Sequence, residues 1–160
     1  MKYQYSMRNP YHLIATGFGI GLIKYAPGTI GSITSIPIWF LVTSVFHSAH
    51  LQVYCIVLSA SIGIYACQRA SRDIGIHDHG SIVWDEFIGM WITLLIIPDF
   101  SFLWTSLGLL IFRVIDIWKP WPIGWLDKSI RGGFGIMIDD IAAGTISSII
   151  LYCLHSFHYS

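Results

Sequence analysis

Five long apolar runs divide the chain: Ile30–Phe46, Leu51–Cys67, Ile82–Ile97, Phe102–Trp118 and Phe134–Leu154. Several are about 17 residues long, or roughly 25 Å as helix, against a hydrocarbon core of about 30 Å. The pattern predicts an all-α, multi-pass membrane helical bundle with about five spanning helices. Their length is marginal, so partial immersion or local thinning of the bilayer is expected. Ahead of them, Asn9-Pro10 is a helix-start signal with proline at the first helical position. Residues 11–23, with Gly17, Gly19 and Gly21, predict a short interfacial helix or close packing. A nucleotide-binding reading of these glycines fails because no strand-like run precedes them. Pro27–Ser32 reads as a turn that opens the first run, which also contains Pro37.

Composition sharpens this picture. The 160 residues are 54% hydrophobic and only 11% charged, where soluble domains carry about 25% charge. No linker or repeat divides residues 1–160, which read as a single membrane domain. Zero net charge argues against nucleic acid as a partner. Cys55, Cys67 and Cys153 lie in apolar runs with no metal or redox spacing and read as small hydrophobes. Lys24 and Pro27 stand where a signal-peptide cleavage site needs small residues, so the N-terminus is expected to be retained.

Charge also sets the orientation. Lys2, Arg8 and Lys24 precede the first run, Arg69 and Arg72 separate the second from the third, and Lys119, Lys128 and Arg131 separate the fourth from the fifth. Arg113 is near that same end, while residues 47–50, 98–101 and the tail after 154 hold no Lys or Arg. This alternation predicts the N-terminus, 68–81 and 119–133 on the cytoplasmic side. Among the carboxylates, only Asp99 falls on the other side.

The acids carry the candidate chemistry. Asp85-Glu86 opens the third run and Asp139-Asp140 lies in the fifth, each pair followed by small residues, Gly89 or Ala142-Ala143-Gly144. Asp116 sits near the matching end of the fourth run. Five converging carboxylates repel one another unless something compensates them. Mg²⁺ suits this donor set, with Asp85, Glu86, Asp139 and Asp140 as metal ligands. The competing account pairs the acids with Arg113, Lys119 and Arg131. For phosphate, Arg131 precedes Gly132-Gly133, whose N–H groups could face an anion at a helix start. Lys119, before Pro120, is expected outside the helix in an extended conformation, and Thr29 could donate a hydroxyl. His77 and His79 flank Asp78, and His79 is a candidate for proton transfer or loop structuring. Trp39, Trp104 and Trp118 read as interface anchors or packing residues.

Four motifs resemble a known family in its order: Pro27–Ser32, His77–Trp91, Phe112-Arg113-x-x-Asp116-Ile117-Trp118-Lys119-Pro120-Trp121-Pro122-Ile123, and Gly132–Asp140. They closely resemble the phosphatidylglycerophosphatase A family of Gram-negative bacteria, over about Asn9 to Tyr152. The resemblance implies a Mg²⁺-dependent inner-membrane phosphoric monoester hydrolase of phospholipid biosynthesis, converting phosphatidylglycerophosphate to phosphatidylglycerol and phosphate. It also implies a bundle with one central helix surrounded by the others. By motif, Asp85, Glu86, Asp116, Asp139 and Asp140 form the acidic centre, and Lys119 and Arg131 face phosphate.

The expected activity is thus metal-assisted hydrolysis of a membrane phospholipid at the cytoplasmic face, by water or through a phospho-enzyme. No obligate protein partner is implied. The alternative is a cation or proton transporter using membrane-embedded carboxylates. Acids at one end and no repeated halves count against it. A scaffold whose charges only set topology is a third reading.

Overall fold

The computed structural model describes residues 5–97 and 101–158, all in helices, turns and connecting segments. Lys2 and Asp99, used above for orientation, lie outside the described residues. The helices are α1 (Pro10–Ala15), α2 (Pro27–Val45), α3 (Ala49–Ile74), α4 (Trp84–Leu94), α5 (Phe102–Trp118), α6 (Ile123–Ser129) and α7 (Gly132–His158), with a 3₁₀ turn at Ile20–Leu22.

Local chemistry explains most of the boundaries. The Asn9 side chain accepts the Tyr11 N–H at the start of α1, and Pro10 occupies the first turn, where no N–H is required. Ser101 caps α5 by accepting the Trp104 N–H. Gly75 ends α3 at φ 74°, its N–H bonded to Ser71 and Arg72 carbonyls, a left-handed termination that glycine adopts readily.

Each apolar run forms one helix, with differences at the ends. Pro27–Ser32 is not a turn but the first turn and a half of α2, because proline at a helix start loses no hydrogen bond. α3 continues past Cys67 to Ile74, since its last turns pack polar residues against α1 and α7. The 11–23 segment continues α1 only as far as Ala15 before Gly17, Phe18 and Gly19 take positive φ. The 119–133 connection holds the extra helix α6.

α4 is the centre of the bundle. Nine of its eleven residues are buried, and it packs against α2, α3, α5 and α7, as expected for a helix apolar on all sides. Two indole donors fix it laterally: Trp84 Nε1 bonds the Ser59 carbonyl of α3 at 3.1 Å, and Trp91 Nε1 the Ser35 carbonyl of α2 at 3.0 Å. Trp39 stacks on Trp91 and Trp84 on Phe87, with ring centroids 5.6 and 5.3 Å apart. Trp39 is fully buried while Trp118 is 78% exposed, so the first is a core residue and only the second is placed like an anchor.

α4 and α7 cross closely. A Cβ on Gly89 would stand 2.6 Å from the Phe112 ring and 2.8 Å from the Asp140 carbonyl, and one on Gly144 would run into the Gly89 carbonyl. Small residues let two backbones approach in this way. α2, α4 and α7 therefore start, and α3 and α5 end, at one end of the bundle. Arg8, Lys24, Arg69, Arg72, Lys119, Lys128 and Arg131 are on elements of that same end.

Among the described residues α2, α3 and α7 are long and apolar enough to cross a membrane. α5, with 17 residues, and α4, with 11, reach about 25 and 16 Å. The outward faces stay apolar, with Leu41, Val45, Tyr54, Leu58, Leu110 and Val114 exposed.

Gly144→Ala should lower the thermal midpoint of the detergent-solubilised protein. The helix-propensity gain is about 1 kcal/mol, and overpacking against backbone costs about 1–3 kcal/mol. Gly80→Ala, whose Cβ would meet nothing within 4 Å, should leave the midpoint unchanged.

Candidate active site

At the end where α2, α4 and α7 begin, three helices bring their acids together. Asp85 and Glu86 occupy the first turn of α4, Asp116 the last turn of α5, and Asp139 and Asp140 the third turn of α7. With Lys119, Asp78, Gly80, Ile82 and Ile117 they line a cavity of about 250 Å³. The depth follows from helix entry: α4 starts beside Gly63, in the middle of α3, so its first-turn acids are buried from the outset.

Two basic residues serve this cluster. Arg113 Nη1 lies 2.6 Å from Asp116 Oδ2 and 3.8 Å from Glu86 Oε1. Lys119 Nζ lies 2.7 Å from Asp139 Oδ2 and 2.8 Å from Asp127 Oδ1. The pairing account is thus satisfied in part. Among the described residues Asp85 and Asp140 join no salt bridge. Glu86 Oε2, Asp139 Oδ1 and Asp140 Oδ1 are buried without a hydrogen-bond partner, an arrangement that costs free energy unless a ligand compensates it.

Among the described residues, possible ligand oxygens fall into two groups, each within 4.8 Å: Asp85, Glu86 and Asp140, and Asp116, Asp139 and Asp140. All are carboxylates. Such donors suit a hard cation, and neither group contains the His or Cys that zinc prefers.

Lys119 departs from the expected extended conformation. It closes α5 at φ 44° and ψ 57°, with its N–H bonded to the Ile115 carbonyl. The left-handed geometry avoids the helical region forbidden before proline while keeping that last bond. Burial opposes the Lys119 charge, but hydrogen bonds to Asp127 and Asp139 hold its ammonium above the ordinary value. Asp78, in the loop before α4, also takes positive φ. Burial pushes its carboxyl up, and nearby Lys119 only partly offsets this.

The other candidates stand elsewhere. Gly132 N–H donates to His77 Nε2 at 2.9 Å, and Gly133 N–H to Gln68 Oε1. Both donors expected to face an anion are thereby used in docking α7 onto α3 and the 75–82 loop. Arg131, one residue before α7 begins, is exposed and outside the cavity lining. His79 Nδ1 accepts the Ser81 N–H at 3.2 Å and its ring meets Tyr5, the loop-structuring arrangement. Thr29 does not line the cavity. Its neighbour Gly28 does the fitting, since a Cβ there would strike Glu86 Oε1. Two residues join the site that sequence reasoning passed over: Asp78, visible only as the residue between two histidines, and Asp127, which reaches Lys119 from α6.

Comparison with known proteins agrees with these motifs. The profile of a family described as Phosphatidylglycerophosphatase A matches residues 13–155. A phosphatidylglycerophosphatase A of Escherichia coli (strain K12) is 53% identical over 151 residues, covering 94% of this chain and 87% of its own. One of Haemophilus influenzae is 42% identical over 93% of this chain and 91% of its own. A Bacteroides thetaiotaomicron protein with a provisional name, phosphatidylinositol-3-phosphatase, is 33% identical over 87% of this chain and 89% of its own. No solved structure matches. From the match along nearly its whole length, the chain belongs to the phosphatidylglycerophosphatase A family.

Proposed function

We propose that this enzyme hydrolyses phosphatidylglycerophosphate to phosphatidylglycerol and phosphate, using Mg²⁺ held by the acidic cavity at the cytoplasmic face of the bacterial inner membrane. The observation that carries the metal reading is the set of buried, unpartnered oxygens on Glu86, Asp139 and Asp140. With Asp85 they form an all-oxygen donor set that fits a hard divalent cation. When bound, Mg²⁺ supplies positive charge to the phosphoryl oxygens.

The chain's own residues supply the rest. Lys119, on the cavity wall, offers its ammonium to the non-bridging oxygens. Water attacks phosphorus, the ester bond to the glycerol oxygen breaks, the proton lost by water passes to a carboxylate, and the departing glycerol oxygen takes up a proton to leave as the hydroxyl of phosphatidylglycerol. Asp78 suits that role: it lines the cavity, stands outside both possible ligand groups, and burial raises its proton affinity, which favours general-base action. The diacyl tails remain in the bilayer, so the cavity needs to admit only the headgroup. About five crossings, by α2, α3, α4, α5 and α7 with α4 reaching only part of the way, fit the Lys- and Arg-bearing end lying in the cytoplasm. The family's name and the one-ended acids support hydrolysis over transport.

Phosphate release from phosphatidylglycerophosphate in mixed micelles should require Mg²⁺ and stop with EDTA. Asp85→Asn and Asp139→Asn should each lose about 100-fold or more; release indifferent to EDTA would sink the metal reading. Lys119→Met should reduce kcat/KM by about 100-fold, with Lys119→Arg recovering part of it, because the charge returns in a different shape. The pH profile provides a third check. A base works only when ionised, so activity is lost as pH falls through its pKa. A raised Asp78 places the acid limb of kcat/KM above the ordinary value of about 3.9, and Asp78→Glu should keep that limb while Asp78→Asn removes it.

A further inference from the structure

We propose that the cavity holds two divalent cations side by side: one on Asp85, Glu86 and Asp140, the other on Asp116, Asp139 and Asp140, with Asp140 shared. The inference rests on the reading of this cavity as a cation site and adds number and partition. Each triad gathers its oxygens within 4.8 Å. An octahedral ion with bonds of about 2.1 Å holds its ligand oxygens about 3.0 Å apart when adjacent and about 4.2 Å when opposite, so a triad whose oxygens lie within 4.8 Å of one another closes by no more than about 2 Å.

The unpartnered oxygens point the same way independently. Glu86, whose Oε2 is unpartnered, is a member of the first triad; Asp139, whose Oδ1 is unpartnered, of the second; and Asp140, whose Oδ1 is unpartnered, of both. Asp139 and Asp140 are only 5% and 3% exposed. One ion on either triad leaves an orphaned oxygen in the other.

Charge decides between one ion and two. Six carboxylates line the cavity, against Lys119 and the adjoining Arg113, an excess of four negative charges once all six are ionised, the state metal binding requires. One divalent cation leaves half the excess facing a phosphate dianion, and two cancel it. Arg113 touches one ligand of each triad, Asp116 and Glu86. That contact makes it a positioning residue that holds the two triads in register.

The test uses the full chain in detergent micelles, stripped with chelator and titrated with Mn²⁺ as the probe. Calorimetry should give two Mn²⁺ per chain, and low-temperature electron paramagnetic resonance should show a spin-coupled pair. Glu86→Gln and Asp116→Asn should each retain one uncoupled Mn²⁺. Asp140→Asn should weaken both ions by about tenfold or more, the scale of a lost ligand or its support. Helical content by circular dichroism confirms folding of the variants, and the wild-type stoichiometry needs no variant at all. One uncoupled Mn²⁺ in the wild type, with phosphate release still sensitive to EDTA, overturns the second cation and leaves the metal reading standing. Asp140→Asn affecting only one ion overturns the sharing. No bound Mn²⁺ with phosphate release intact overturns both readings.

Discussion

Carboxylates repel one another most strongly where water is excluded, and this chain drives five of them from three helices into one buried cavity. Two cationic side chains reach them, each already shared between two acids. The arrangement is costly to assemble, and the rest of the bundle is built to hold it together. The indole bonds of Trp84 and Trp91 fix α4 between α2 and α3. The Gly89–Gly144 crossing brings α4 and α7 close enough for Asp85 and Asp140 to meet.

The same logic accounts for the glycine at the start of α2. Gly28 lies directly over Glu86 and beside Arg113, so α2 covers the acidic centre with backbone where a side chain would hold it off. At the opposite corner His77 and Gln68 capture the first N–H groups of α7, which sets how deep Asp139 and Asp140 sit. The apolar packing and the polar site are therefore one structure. Close helix contacts give the stability that charge clustering spends.

Much of this was legible in the chain. The apolar runs mark where helices form, because the 3.6-residue repeat and burial leave few other uses for such segments. The acids near run starts and ends mark the site, since unpaired charge in greasy surroundings requires a compensating reason. Phe102–Trp118 matches α5 at both ends. Pro27–Ser32 reads as a turn from sequence alone, because proline and glycine serve a turn and a helix start equally well. Asp127 escaped notice because its importance depends on α6 folding back against α7, and nothing local announces that contact.

By itself the sequence determined the helical class, the one-sided distribution of charge, the family and the identity of the acidic centre, all of which follow from residue type and spacing. Tertiary structure alone decided which oxygens are neighbours. Asp140 shared between two triads, Arg113 spanning Glu86 and Asp116, and glycine N–H groups bonded to His77 and Gln68 instead of facing an anion are all matters of distance across helices. Such distances depend on crossing angle and depth, which small residues permit but do not specify.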